Sequence, residues 1–179
     1  QDWYLREETY QQALALLVDY HHRLPLAQRW GTGAASSSDA QAFLVGRTQS
    51  ALARFNPHYG SEPSIMILTH LSDQYAPFYS QVITSHERQA AYIVDGLLHH
   101  GSVLPIIEHS ADTQGYTDHL FAVLHALGIG FAPRIRSFQG NKLYIANKPS
   151  AYPTLQSLIG GRLNTRLMET YWEDYLRLV

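Results

Sequence analysis

The chain has 179 residues, of which 45% are hydrophobic, and its formal net charge at pH 7 is -2. That length is sufficient for one sizeable core, so we expect a single compact domain. The absence of cysteine excludes a disulfide framework, a thiolate zinc site and a cysteine nucleophile. The chain begins at Gln1 and contains no leader-like segment or long apolar run, so we expect a soluble piece of a larger protein with no membrane partner.

Charge is distributed unevenly along the chain. The stretch from His119 to Met168 contains no Asp or Glu, although it contains six basic residues. A solvated surface face would account for this pattern, and so would a strip that follows DNA phosphates beside an acidic, metal-holding region. The six basic residues are Arg134, Arg136, Lys142, Lys148, Arg162 and Arg166.

The first half of the chain predicts a helix followed by strands. Apolar residues recur at helical spacing from Tyr10 to Val18, and the pattern ends before Pro25, which predicts a helix. Residues 31–38 read GTGAASSS, a composition typical of a flexible linker, and an aspartate, Asp39, follows them. The branched apolar run 65–68 predicts a buried strand.

The second half alternates between helices and strands. Its clearest helix is expected after Ser85, the predicted cap, and is expected to end at Gly101. A short apolar strand, Val103–His109, then runs into Asp112. Further elements are expected in the order helix (117–128, capped by Thr117 and ended by Gly128), strand (129–135), strand (143–146) and helix (167–179).

This alternation predicts an α/β fold, with a mixed sheet flanked by helices. Asp39 and Asp112 are both expected where a candidate strand gives way to a loop, and polar residues at strand ends commonly form the site of such a sheet. Two close carboxylates stay ionised if a cation lies between them, and Mg²⁺ needs only one or two of them. Each aspartate could equally be a turn or cap residue. For that reason Asp118, which follows Thr117, and Asp73 are second-rank candidates.

The sequence contains no motif for a zinc protease, a serine hydrolase or a nucleotide-binding protein. Ten histidines invite a zinc hypothesis, but His86-Glu87 lacks the second histidine at position 90 that HExxH requires. The chain has no GxSxG elbow of a serine hydrolase and no GxxxxGK[ST] phosphate loop. The histidines are therefore expected to be ordinary surface or core residues.

Seven segments carry a family resemblance. They are WGTGAASSSDAQ (30–41), NPHYG (56–60), THLSDQYAPF (69–78), DGLLHH (95–100), EHSADTQGYTDHLF (108–121), FAPRIR (131–136) and LIGGRLN (158–164). These strings resemble the replicative transposases of the Tn-three family, members of the DDE group. The resemblance implies a ribonuclease-H-like mixed sheet, incomplete in this chain. Residues 1–28 would form an N-terminal helical segment, and residues 29–179 the N-terminal part of the catalytic domain.

The resemblance also implies a catalytic site. Asp39 and Asp112 match the first two acids of the family's triad, which would bind two Mg²⁺ ions, for which Mn²⁺ can substitute. The family usually has glycine after the first acid, where this chain has Ala40. The third acid is a glutamate in a segment downstream of those present here, and neither Glu169 nor Glu173 matches it. This chain alone is therefore expected to hold metal poorly and to lack activity.

The implied function is magnesium-dependent nicking at transposon ends, followed by transfer of the freed 3′ hydroxyl to target DNA, in the bacterial cytoplasm at the nucleoid. The basic residues from Arg134 onward would hold phosphates. The expected partners are transposon-end DNA, target DNA and further copies of the full-length transposase. Two alternatives remain: a non-catalytic DNA-binding or assembly module (or an inactive relic), and a ribonuclease-H-like nuclease unrelated to transposition.

Overall fold

The computed structural model describes residues 6–45, 52–58 and 60–177. The helices are α1 (Glu7–His22), α2 (Ala27–Trp30), α3 (Gln89–His99), α4 (Asp118–Ala126), α5 (Thr165–Thr170) and α6 (Trp172–Leu176). The strands are β1 (Ala35–Leu44), β2 (Arg54–Phe55), β3 (Pro63–Ser72), β4 (Pro77–Thr84), β5 (Glu108–Ala111), β6 (Gly130–Phe131), β7 (Leu143–Ile145) and β8 (Ile159–Arg162). None of the described helices is long and apolar enough to cross a membrane.

The chain divides into two compact units, Gln1–Arg134 and Ile135–Val179. The first contains β1–β6 and α1–α4, and the second contains the parallel pair β7–β8 with α5 and α6. The sequence placed residues 29–179 in one domain, whereas the observed division lies inside that stretch. Whether both units belong to one catalytic domain stays a prediction.

The first unit is built on a six-stranded mixed sheet. Strand β3 pairs antiparallel with β1, β4 and β2, whereas β5 lies parallel to β1, and β6 lies parallel to β5. Helix α3 connects β4 to β5, and α4 connects β5 to β6, as parallel strands require a crossover. Three long antiparallel strands, β1, β3 and β4, followed by helix-connected parallel strands form the ribonuclease-H-like arrangement, which confirms the predicted fold class.

Strand β1 contains the serine-rich segment whose composition is typical of a linker. Nine of its residues pair with β3, and four pair with β5, so the tertiary pairing overrides the weak strand preference of serine. Ser36 and Ser38 are buried, while Ser37 and Asp39 are exposed, as strand alternation requires. Asp39 therefore lies in the middle of a strand, and the expectation of a strand end at this position was wrong.

Helix α3 begins later than expected. Its N-cap is Arg88, not Ser85, because the Ser85 side chain is buried and its hydroxyl donates to the Arg54 carbonyl at 3.2 Å. The Ser85 carbonyl in turn accepts a hydrogen bond from the Asn56 side chain at 2.6 Å. Ser85 thus joins the end of β4 to strand β2 and to Asn56, which follows that strand. The predicted end is confirmed, since Gly101 adopts the left-handed conformation, with φ 66°.

Helix α4 agrees closely with its prediction. The Thr117 hydroxyl accepts a hydrogen bond from the Leu120 amide at 3.1 Å, and Gly128 has a φ of 76° just beyond the helix. Local sequence was sufficient here because cap and helix are adjacent.

Other observed element boundaries differ from the predicted ones. The strand expected over 103–109 is β5, which begins only at Glu108, where pairing with β1 begins. Strand β4 was not predicted. The last predicted helix is divided into α5 and α6 at Tyr171, and Val179 lies outside the described residues.

The core of the first unit is a cluster of buried side chains contributed by strands and helices alike. Its members are Val18, Met66, Leu68, Phe78, Tyr79, Ile83, Ile93, Leu97, Leu104, Ala111, Leu120 and Leu124. Two histidines, His70 and His109, are fully buried in the same unit. They are core residues, as the sequence predicted for histidines in general.

Candidate active site

Asp39 and Asp112 occupy neighbouring positions on two parallel strands. Ser38 of β1 is paired in register with Ala111 of β5, and each of these buried residues is followed directly by one of the two aspartates. Paired strands lie about 4.8 Å apart, so the two Cα atoms are close. Asp39 is exposed, and Asp112 is partly exposed. The sheet thus brings together two acids that lie 73 positions apart in the sequence.

The backbone after Asp112 holds its carboxylate in one orientation. Its Oδ1 atom accepts hydrogen bonds from the amides of Gln114 and Gly115, at 2.9 and 3.1 Å. A Cβ at position 115 would lie 2.8 Å from both the Ala111 Cβ and a methyl group of Ile93, so the tight turn requires glycine. Asp112 is therefore oriented by its own loop.

A buried serine–histidine bridge joins the two acid-bearing strands. The Nδ1 atom of His109 lies 2.8 Å from the Ser36 hydroxyl, and Nε2 lies 2.9 Å from the Ser38 hydroxyl. Burial lowers the pKa of His109 from 6.5 to about 3, with a smaller contribution from His70. The neutral ring therefore accepts one hydrogen bond and donates the other. These two bonds hold β1 beside β5 at the residues that precede Asp39.

His70 lies next to this bridge. Its ring centroid is 5.5 Å from that of His109, and its Nε2 atom is 3.3 Å from the Ile93 carbonyl oxygen. Burial lowers the pKa of His70 to about 4, although the hydrogen bond to Ile93 opposes the change. A Cβ at Gly96 would overlap the ring, so α3 packs closely against it. The neutral imidazole of His70 thus packs between the sheet and α3, with the His109 ring beside it.

Asp73 is used differently from the acid pair. Its two carboxylate oxygens accept hydrogen bonds from the amides of Gly33 and Thr32, at 2.8 and 3.1 Å. It lies beyond the end of β3, beside the first residues of β1, and its own amide donates to the Ala35 carbonyl at 2.8 Å. The structure therefore gives Asp73 a loop-anchoring role and does not bring it beside Asp39.

Asp118 lies in the first turn of α4, where an acid interacts favourably with the helix N-terminus. Its Oδ1 atom accepts a hydrogen bond from the Tyr116 hydroxyl at 3.0 Å, which raises the pKa of that tyrosine. This placement is consistent with the expected helix-start role.

The six basic residues divide between the units. Arg134 ends the first unit, and its amide donates to the Ala111 carbonyl at 2.8 Å, which places its backbone beside the residue that precedes Asp112. In the second unit, the Lys142 ammonium donates to the Ser157 carbonyl and the Arg162 guanidinium to the Ala146 carbonyl. The remaining three are Arg136, Lys148 and Arg166, all exposed.

Sequence reasoning missed the serine–histidine bridge. A useful indication was available, because serines at alternate positions of a strand place their hydroxyls on one face, where burial demands partners. The partner itself, His109, lies 71 positions from Ser38, and nothing local connects the two.

The acid pair suits a hard divalent cation. The Oδ1 atom of Asp39 accepts from the Ala40 amide at 2.8 Å, and that of Asp112 is held by its loop. Within residues 6–45, 52–58 and 60–177, neither Oδ2 atom has a hydrogen-bond partner. Mg²⁺ is often held by two carboxylates together with water and phosphate oxygens. Within those same residues, no cluster of three or more His, Asp or Glu forms a complete protein site.

These features define the class of protein to which the chain belongs. The chain carries a ribonuclease-H-like sheet with an aspartate in the middle of its first strand and a second aspartate directly beyond the adjacent parallel strand. The family model "Tn3 transposase DDE domain" matches residues 1–179. The chain belongs to this family of transposase domains, which confirms the predicted resemblance.

Two bacterial transposases illustrate the relationship. The transposase for transposon Tn501 of Pseudomonas aeruginosa is 48% identical over 178 residues, and that for transposon Tn2501 of Escherichia coli is 49% identical over 179 residues. Each alignment covers 99% of this chain and 18% of the relative, so the chain spans about a fifth of the relatives' length. A solved pre-cleavage Mos1 transpososome matches 94% of this chain and 54% of its own, at 11% identity and a TM-score of 0.38.

Proposed function

We propose that this chain supplies two metal-binding aspartates of a DNA transposase, Asp39 and Asp112, which act in cleaving transposon ends and joining them to target DNA. The observation that carries the proposal is the register of β1 and β5, in which each acid directly follows a member of the pair Ser38–Ala111. Family membership supports the reaction class. The transposases similar to this chain are bacterial, so we place the reaction in the cytoplasm, at the nucleoid.

When bound, two Mg²⁺ ions would supply the charge that activates a water or a 3′ hydroxyl and neutralises the leaving oxygen, and Mn²⁺ would substitute. The protein's part is to hold the two carboxylates in fixed positions. The amides of Gln114 and Gly115 hold the Asp112 carboxylate, and the pairing of β1 with β3 and β5 holds the backbone of Asp39. The third carboxylate of the complete site would come from a segment downstream of Val179, so this chain alone would have little activity.

Arg134 is proposed to bind a phosphate beside the acid pair. Its backbone is hydrogen-bonded to Ala111, and its side chain is exposed. A fixed cation at this position would attract the DNA backbone towards the carboxylates. The basic residues of the second unit are proposed to bind phosphates of transposon-end or target DNA, in an assembly of several full-length transposase subunits.

The test replaces Asp39 or Asp112 with Asn in a full-length transposase that carries this domain. Strand transfer is measured on transposon-end DNA with magnesium. Losing several kcal/mol of transition-state stabilisation corresponds to a fall of roughly 10³-fold or more. Binding of the same DNA and thermal unfolding should change little, because both side chains lie at the surface of the sheet.

Asp118→Asn is the matched comparison, since Asp118 lies close in sequence but within the first turn of α4. It should keep most of the strand transfer. Loss of activity in Asp118→Asn with none in Asp112→Asn would move the second ligand to Asp118. Unchanged transfer in both Asp39→Asn and Asp112→Asn would contradict the catalytic proposal and favour a non-catalytic DNA-binding or assembly module.

A further inference from the structure

Two large aromatic side chains, Trp30 and Tyr75, are exposed side by side at one end of the first unit. Their rings meet edge to face with centroids 5.4 Å apart, and their exposed fractions are 63% and 68%. Large rings are normally buried for most of their area, so such a pair on a solvent-facing surface lacks an internal packing role.

The backbone at Tyr75 is strained. Its φ is 61°, in the left-handed region that a bulky aromatic residue rarely adopts. Glycine or asparagine would occupy this position more easily. The fold therefore holds a ring here at an energetic cost, a situation that frequently marks a binding surface.

A buried polar network fixes the two loops that carry these rings. The Gln74 side chain, which is 2% exposed, donates to the Gly31 carbonyl at 2.9 Å, and its Oε1 atom lies 2.9 Å from Nδ1 of His22. Asp73 binds the amides of Thr32 and Gly33. Because the loops are joined by these contacts, the two rings form a preorganised surface rather than two independent side chains.

An open groove connects this surface with Asp39. The part of the groove beside Asp39 is lined by Ser37 and Leu71, and the same two residues line the part that reaches Tyr75. Ala35, at the Tyr75 end, is four residues from Asp39 along β1, which is about 13 Å of strand. That distance equals about four stacked nucleotides of one DNA strand.

The two aromatic rings and the continuity of the groove with Asp39 favour a DNA base as the occupant. Asp73 is the single carboxylate among the described residues that line the Tyr75 end of the groove, and both of its oxygens already accept amide hydrogens. A basic residue, Arg29, immediately precedes Trp30. Aromatic side chains are the usual platform on which unpaired bases stack, and such stacking tolerates any base.

We propose that Trp30 and Tyr75 stack on an unpaired base of the transposon end within about four nucleotides of the scissile phosphate. This inference rests on the proposed function, because the groove is followed outward from Asp39. The pair would hold the DNA strand that leaves the acid pair and so set its path over the sheet.

The test combines removal of the ring with removal of the base. A full-length transposase with or without Trp30→Ala binds transposon-end DNA in which one of the four nucleotides next to the cleavage position is intact or abasic. At the stacked position, each single change should weaken binding about 5- to 100-fold. The two changes together should weaken it scarcely further. Binding is measured without divalent metal, so the result does not depend on whether Asp39 and Asp112 catalyse.

Variants at Tyr75 separate stacking from folding. Tyr75→Asn and Tyr75→Gly relieve the backbone strain, so the unfolding temperature should stay the same or rise while DNA binding falls. Tyr75→Phe should retain binding. Tyr20, whose ring is also 68% exposed, provides the control, and Tyr20→Ala should leave binding unchanged.

Two results would overturn the proposal. The first is a loss from Trp30→Ala that adds fully to the abasic loss at all four positions. The second is unchanged DNA binding in Trp30→Ala and Tyr75→Asn together with weakened assembly of transposase subunits, which would identify a protein-docking surface instead. Neither result bears on the Asp39 and Asp112 variants, so failure here is distinguishable from failure of the catalytic proposal.

Discussion

The two compact units of the chain bury their apolar side chains to very different extents. Among the residues that the structure describes, fifteen hydrophobic residues are buried, and all of them belong to the first unit, between Ala15 and Leu124. None of the side chains described in the second unit, Ile135–Val179, is buried. Its exposed large apolar residues are Leu143, Tyr144, Leu155, Leu158, Leu163, Leu167, Met168, Tyr171, Trp172 and Leu176. A segment of this size rarely encloses a core of its own, so the stability of the chain is concentrated in the unit that holds the acid pair.

The largest expected effect is the loss of folding stability when a core side chain of the first unit is truncated. Phe78 is 0% exposed, so Phe78→Ala should lower the free energy of unfolding by about 3–5 kcal/mol. Leu163, which is 42% exposed in the second unit, is the matched site, and Leu163→Ala should cost less than about 1 kcal/mol. Urea unfolding followed by circular dichroism measures both. Equal losses would show that the second unit contributes to the cooperative core after all.

A smaller effect is expected from acid. His70 and His109 have folded-state pKa values of about 4 and about 3, below the ordinary 6.5, so between these limits the unfolded chain binds more protons than the folded one. Stability should therefore be fully present above pH 6.5 and fall as the pH drops, by on the order of 1 kcal/mol per pH unit for each histidine. Unfolding at pH 7 and pH 5 measures the change.

His109→Gln is the control for the acid effect, because an amide can still bond with the Ser36 and Ser38 hydroxyls but does not titrate. This variant should be less sensitive to pH than the native chain. An identical pH dependence in both proteins would mean that the loss arises elsewhere.

The smallest effect concerns the salt dependence of DNA binding. Arg134, in the first unit, and Arg136, Lys148 and Arg166, in the second, form no side-chain hydrogen bond or ion pair within residues 6–45, 52–58 and 60–177. Each substitution by Ala should reduce the slope of log affinity against log salt by about one if that residue binds a phosphate. Titrations of the full-length transposase at several salt concentrations measure this slope.

The same measurement shows which of the two units contacts DNA. A change confined to Arg134→Ala would restrict the DNA contact to the unit with the acid pair. Unchanged slopes in all four variants would identify the basic stretch as a solvated surface.

Prediction from sequence succeeded where neighbours along the chain decide the structure. The cap at Thr117 and the end of α4 at Gly128 involve contacts within a few residues. It failed where distant contacts decide, as at Ser85, whose hydroxyl bonds to Arg54 instead of capping α3. Strand β4 was missed for a related reason, because its place depends on pairing with β3.

For the candidate site, the sequence by itself selected the candidate residues, through the motifs around Asp39 and Asp112, and it also predicted the fold class and the family. Only the tertiary structure decided how they meet. Pairing on both edges turned a serine-rich segment into the central strand, put Asp39 in its middle, and placed Asp112 beside it. The bridge from Ser36 and Ser38 to His109 and the pairing of Trp30 with Tyr75 arise in the same way. Strand register and burial join residues far apart in the chain, and no local pattern records those partners.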